Sequence, residues 1–298
     1  SSYPASITID ISDDAPIASD YDHATTITEG SGSTELSADA ATTLGINAGA
    51  DGLEGTLQAI RFTNQGTAGG ALSINGDGAL IYVAPSSVNN SSGDVTETFE
   101  YTVTDQDGDT VTKSVTVKVG DGANPTITGA RNVLADEDEL TGGNAGGTGD
   151  DAESLTGSLT FNAGTDALAP STLTLSTGAT GLTTLSGDTV VTTYDTANNM
   201  LIGYVANPSD ATDTSNQVFT VSVTNIDETG ADYALSLKQP VEHAAGLDEN
   251  NTTALTVNVS LKDNEGDEAT TIFTLTIDDD TPIASDYDHA TTITEGSG

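Results

Sequence analysis

The sequence has no cysteine and no tryptophan, and only 6 lysines and arginines stand against 46 aspartates and glutamates in 298 residues. Without cysteine there is no disulfide and no thiolate metal ligand, so the fold needs a different staple. The formal charge of −40 repels nucleic acid and anionic membrane surfaces and attracts multivalent cations, which excludes a nucleic-acid partner. No apolar run reaches the roughly 18 residues of a membrane-spanning helix, so no membrane insertion is expected. Residues 1–20 lack the basic-then-apolar layout of a signal peptide, and the chain reads as an internal segment of a longer protein. Acidity with 4% aromatics is also a signature of disorder. The hydrophobic pattern argues against it.

Where the chain is apolar it alternates with period two. Phe99, Tyr101 and Val103 interleave with Glu100 and Thr102, and Val115, Val117 and Val119 with Thr116 and Lys118. The same holds for Phe219, Val221 and Val223, for Leu255, Val257, Val259 and Leu261, and for Phe273, Leu275 and Ile277. This is the pattern of half-buried strands. Asn75-Gly-Asp-Gly78 and Ser186-Gly-Asp188 supply tight turns between such runs. Many short strands with Gly, Asn and Asp turns predict an all-β chain of Ig-like or cadherin-like β-sandwiches with Greek-key connections.

Residues 16–32 return letter for letter at 282–298, a shift of 266 (282 minus 16), which marks a tandem repeat. Acidic stretches followed by proline recur at Pro16, Pro125 and Pro282 and divide the period. The expected domains are 1–14, the last strand and linker of a preceding repeat; 15–122, a first sandwich; 123–280, a larger one; and 281–298, the start of the next. Proline holds the preceding residue extended, which favours domains joined end to end in a monomeric, elongated chain whose partners are its neighbouring repeats. Cut off from its own sheet, the first segment, with Ile7, Ile9 and Ile11 on one face, is expected to fray or to pair with another chain.

Acids gather at strand ends. Asp105-Gln-Asp-Gly-Asp109 joins two strands of the first domain, and Asp263-Asn-Glu-Gly-Asp267 is its parallel in the second. Alternate carboxylates with glycine fourth let a short loop turn three side chains onto one point. An all-oxygen donor set suits Ca²⁺, which takes six to eight oxygens in loose geometry, better than magnesium or zinc. Neither loop alone completes a site. The missing ligands are sought in the linkers, at Asp13, Asp14, Asp121, Asp278, Asp279 and Asp280, and in the opening strands, at Asp20, Asp22, Glu29, Asp136, Glu137 and Asp138. Asp286, Asp288 and Glu295 are the repeat copies of Asp20, Asp22 and Glu29. Several ions held in this way would lock neighbouring domains.

Asn132-Val-Leu-Ala-Asp-Glu-Asp-Glu-Leu140, the run from Phe219 to His243, Asp263-Asn-Glu-Gly-Asp267 and Ile277-Asp-Asp-Asp-Thr-Pro282 together resemble a repeat family of giant RTX adhesins exported by type I secretion. The first domain is similar to the shorter cadherin-like and VCBS-type repeats of such proteins. Glu265 departs from the Asp usual at that loop position. The resemblance implies a bacterial cell-surface or secreted setting, bound calcium, and an extender role that projects a distal binding region in adhesion or biofilm formation.

Two other functions compete with the extender. A ligand-binding module for glycan or protein could occupy the second domain, which has room for an insertion between about 163 and 215. An enzyme is not expected: His23, His243 and His289 are the only histidines, no nucleophile motif accompanies them, and His243 beside Glu242 reads as a turn residue.

Overall fold

The computed structural model describes residues 7–10, 12–66, 68–143, 154–206, 210–244 and 251–280. The chain is almost wholly β and forms two compact units. The first contains Ser1–Asn124 with the short stretches Ala163–Ala167 and Asn264–Asp267; the second contains Pro125–Asn162, Leu168–Asp263 and Glu268–Gly298.

In the first unit the strands are β1 (Tyr21–Asp22), β2 (Ile27–Thr28), β3 (Ser33–Ser37), β4 (Phe62–Asn64), β5 (Ala71–Ile74), β6 (Leu80–Val83), β7 (Val95–Thr104) and β8 (Thr110–Gly120). One sheet runs β1-β8-β7-β4, with β2 also on β8, and the other runs β3-β6-β5. The opening strands β1 and β2 pair parallel to the closing strand β8, whereas β7 and β8 form a long antiparallel hairpin. This division, three central strands against three with the opening strand on the last, is an immunoglobulin-type sandwich. The period-two pattern explains the core. Phe99, Tyr101, Val103, Val115, Val117 and Val119 face Leu72, Ile74, Leu80 and Tyr82 of the other sheet in one cluster, and the Tyr82 and Phe99 rings meet edge-on at 5.9 Å. The Asn75 turn joins β5 to β6, its Oδ1 accepting from the backbone N–H of Asp77 and Ala79. The one α-helix of the described residues, α1 (Ala40–Thr43), is a single turn capped by Asp39, which accepts from Thr42 N.

Tyr101 is 1% exposed and its hydroxyl donates to the Ser19 carbonyl at 2.7 Å. Burial, with the Asp20 charge second, pushes its phenol up to about 12, and burial raises Tyr82 in the same direction. An acid whose folded value exceeds its unfolded value of about 10 keeps its proton longer in the folded state, so stability falls as pH rises between those values. For Tyr101 the loss is about 2–3 kcal/mol at about 1.4 kcal/mol per unit. Urea titrations at successive alkaline pH check this: the wild type weakens through that window, and Tyr101→Phe weakens less. Equal slopes would refute it.

The second unit continues with β9 (Thr126–Thr128), β10 (Val133–Asp136), β11 (Thr156–Asn162), β12 (Leu168–Thr177), β13 (Val190–Asp195), β14 (Met200–Val205), β15 (Gln217–Thr224), β16 (Gly230–Leu237), β17 (Thr253–Asp263) and β18 (Glu268–Asp278). Its sheets are β10-β18-β17-β12 and β13-β14-β15-β16-β11-β9. Again an opening strand, β10, lies parallel to the closing one, β18. Tyr233 and Phe273 stack across the two sheets at 4.5 Å, among buried Phe219, Val221, Leu235, Val257 and Leu275. Pro170 falls where β12 slips register against β17, and there Thr172 Oγ1 accepts from Lys262 N. A proline is tolerated at such a bulge on an edge strand, where it also blunts the edge. Within the stretch from about 163 to 215 lie β12, β13 and β14, which belong to the two sheets of this unit.

Residues 7–10 form no strand, and Ile7 and Ile9 are 87% and 78% exposed. Ile11 lies outside the described residues.

Candidate metal centre

The β7–β8 hairpin positions the first acidic loop. Asp105 ends up with 0% exposure; its Oδ1 accepts from Gly108 N at 3.1 Å and Asp109 N at 2.8 Å. Gly108 sits at φ +102, a backbone conformation that a side chain would strain, and this closes the turn. Carboxylate oxygens of Asp105, Asp107 and Asp109 lie within 4.8 Å of one another. Asp105 Oδ2 is buried with no hydrogen-bond partner. An ionised oxygen so placed is costly unless a cation meets it, and the all-oxygen donor set fits calcium.

A second group, Asp13, Asp51 and Asp107, shares Asp107 with the first. The loop carrying Asp51 is pinned at both ends, by the paired Ile17 and Asn47 and by Gln106 N donating to Gly52 O at 3.0 Å. Asp14 accepts from Ala50 N at 3.2 Å. The Asp51 carboxyl is raised above the ordinary range, first by desolvation and then by the charges of Asp107, Asp14 and Asp13.

Glu29, Asp121 and Asp166 form a third group, in the first unit. Glu29, 1% exposed, accepts from Val88 N and from Gly122 N at 3.2 Å; Asp166 is 5% exposed. Asp121 also borders a cavity of about 270 Å³ with Asn90, Ser91, Glu265, Gly266 and Asp267. The Asn90 carboxamide is buried there, with neither polar atom hydrogen-bonded. Glu265 Oε2 accepts from Asn90 N at 2.6 Å, and Gly266, at φ +106, repeats the turn of Gly108.

In the second unit Asp136 and Asp278 are register partners on β10 and β18. Asp136 caps a 3-10 turn, Glu137–Glu139, by accepting from Asp138 N. Asp136, Glu137, Asp138, Asp263 and Asp278 are all at most 5% exposed. Glu137, His243 and Asp279 form a fourth group. Glu137 Oε1 accepts from Val241 N at 2.7 Å and faces His243 Nε2 at 3.2 Å, while His243 Nδ1 lies 3.3 Å from Thr253 Oγ1. Burial lowers the His243 value, but the Glu137 hydrogen bond and charge, the Asp279 charge and a backbone hydrogen bond of Asn251 together outweigh it and leave the ring raised.

Of the residues singled out in the sequence, Asp13, Glu29, Asp105, Asp107, Asp109, Asp121, Glu137 and Asp279 stand in these groups. Asp20 and Asp22 instead tie β1 to β8, Asp20 accepting from Ser114 N (2.8 Å) and Oγ (3.0 Å) and Asp22 from Thr116 Oγ1. The Ser114 hydrogen bonds hold the Asp20 carboxyl below its ordinary value. Asp286, Asp288 and Glu295 lie outside the described residues. Sequence reasoning missed Asp51, Asp166 and Asn90, and took His243 for a turn residue, whereas its side chain is 3% exposed. Asp51 had one faint signal, its place between Gly49 and Gly52 in a turn; the others had none before folding.

Residues 13–118 match the bacterial Ig domain family, and residues 132–276 match a domain of unknown function, DUF5801. No curated protein matches. Among solved structures the chain is similar to Drosophila N-cadherin EC1-4 (11% identity, 90% of this chain and 50% of that one, TM-score 0.32). It is also similar to a tetra-tandem repeat in the extending region of a large adhesion protein (16%, 88% and 50%, 0.28) and to mouse clustered PcdhgC3 EC1-3 (10%, 90% and 69%, 0.26). The chain thus spans half the length of the first two. At TM-scores below 0.5 none of the three bears on what this chain does.

Proposed function

We propose that this chain is a calcium-binding extender segment of a bacterial cell-surface adhesin, a non-catalytic spacer. The observation that carries this reading is the buried, unpartnered Oδ2 of Asp105, in a loop where Asp105, Asp107 and Asp109 each bring a carboxylate oxygen within 4.8 Å of the others. Asp105, Asp107 and Asp109 would hold one ion, and Asp13, Asp51 and the shared Asp107 another. Glu29, Asp121 and Asp166 would hold a third. In the second unit the buried Asp136, Asp138 and Asp278 would serve the same purpose. Each ion cancels the repulsion of carboxylates brought together from separate loops and fixes those loops to one another. A letter-for-letter repeat supports the spacer role, because reach requires repetition whereas recognition needs one copy. In this reading the parent is an RTX adhesin secreted by the type I route, disordered at low internal calcium and stiffened outside the cell, where it would serve adhesion or biofilm formation.

Calorimetric titration of the full chain with calcium tests it. Binding of more than one ion is expected, and Asp105→Asn should remove at least one equivalent while Asp77→Asn, on the exposed β5–β6 turn, removes none. A stoichiometry untouched by Asp105→Asn would overturn the assignment.

A further inference from the structure

We propose that Glu137, His243 and Asp279 bind a borderline transition-metal ion, of the zinc kind, at an open three-ligand site in the second unit. The calcium reading does not require it, for an imidazole nitrogen is a poor ligand for a hard cation and a good one for zinc, nickel or copper. Imidazole nitrogen and carboxylate oxygen are both zinc ligand types, and three protein ligands leave a position open.

The local geometry prepares the histidine for this use. A hydrogen bond between Nε2 and Glu137 Oε1 at 3.2 Å needs a proton on that nitrogen, and a metal ion can replace that proton between the same two atoms. Nδ1 is free of the site and faces Thr253 Oγ1 at 3.3 Å, so the hydroxyl can accept the Nδ1 proton and leave the Nε2 lone pair for the metal. Glu137 is itself oriented, since Val241 N donates to the same Oε1 at 2.7 Å. The ligand atoms of all three residues lie within 4.8 Å of one another, and the Glu137 and His243 side chains are 5% and 3% exposed.

A second observation points to a bound group. Glu137 and Asp279 line a cavity of about 380 Å³ with Asp280, and Leu140, Leu185 and Pro240 are also in its lining. Asp280 Oδ1 is buried with no hydrogen-bond partner.

The test uses the full chain in excess calcium, so that oxygen-only sites are filled, with cobalt(II) as the optical stand-in for zinc. One equivalent of cobalt should give the visible absorption of a four- or five-coordinate nitrogen and oxygen site, and zinc should bleach it. His243→Gln should abolish the band and His23→Gln should leave it intact. Asp279→Asn, at a half-buried position after β18, should weaken cobalt binding about tenfold or more, and it decides the matter if His243→Gln fails to give the wild-type circular dichroism spectrum. Thr253→Val should weaken binding about tenfold through the ring orientation. A band that survives His243→Gln, or that calcium alone erases, would overturn the proposal.

Discussion

Removing divalent cations with a chelator lowers the melting temperature of the first unit by about 10–20 °C. A ligand that binds only the folded state stabilises it by RT ln(1+[L]/Kd), which is about 2.7 kcal/mol when the free ion exceeds its Kd a hundredfold. A domain of this size shifts by about 3–4 °C per kcal/mol. Two ions sharing Asp107 would contribute more than one, and their sum is a large fraction of the usual 5–15 kcal/mol of a domain. The direction follows from the groups themselves: desolvation and the charges of Asp107, Asp14 and Asp13 already raise the Asp51 carboxyl, a sign that the ionised cluster opposes folding when no cation is bound. Salt at physiological strength screens charges only beyond about 8 Å, so sodium cannot substitute for an ion held among oxygens within 4.8 Å of one another. Differential scanning calorimetry in calcium and in chelator measures the effect, and Asp105→Asn should shrink it by about half. Superimposable scans in the two buffers would refute the calcium reading outright.

Glu97→Ala destabilises the first unit by about 3–5 kcal/mol. Glu97 lies on β7 on the same face as Phe99 and Tyr101, and its exposure is 0%. Its Oε1 accepts from Asn64 Nδ2 at 2.6 Å and Gly70 N at 2.9 Å, and its Oε2 accepts from the Tyr82 hydroxyl. Truncation leaves two buried donors, Gly70 N and the Tyr82 hydroxyl, without an acceptor at a cost of about 1–3 kcal/mol each, besides the cavity, while Asn64 Nδ2 keeps its bond to Gly70 O at 3.0 Å. Gly70→Ala attacks the same network from the opposite side. A Cβ there would stand 2.1 Å from Glu97 Oε2 and 2.5 Å from the Tyr82 hydroxyl oxygen, and both are held too firmly to yield. Urea unfolding followed by circular dichroism quantifies both variants. A loss under about 1 kcal/mol for Glu97→Ala would mean that water reaches the freed donors and that the network contributes little.

Both results touch residues whose importance the linear sequence conceals. Period two marks Phe99 and Tyr101 as core positions and would mark Glu97 as well, but a carboxylate in that register looks like an error until Asn64, Gly70 and Tyr82 are seen to meet it. Asp20 and Asp22 show the converse. Their acidity near a linker suggested metal ligation; the structure adds that β1 pairs with β8 in a register that sets Ser114 and Thr116 against them, and one oxygen of each carboxylate accepts hydrogen bonds there.

Strand identity, the turns at Asn75 and Ser186, and the alternate carboxylates of the loop at 105–109 were all determined by residues a few positions apart, because a strand's two faces and a turn's handedness are local properties of the backbone. The partners of those carboxylates were decided by tertiary structure alone. Asp51 joins Asp13 and Asp107, Asp166 joins Glu29 and Asp121, and His243 joins Glu137 and Asp279 across separations of tens of residues or more, through strand pairings and loop contacts that no local pattern encodes. An ion site is a matter of distances of a few ångströms between side chains, and only the packed sheets bring distant parts of a chain that close.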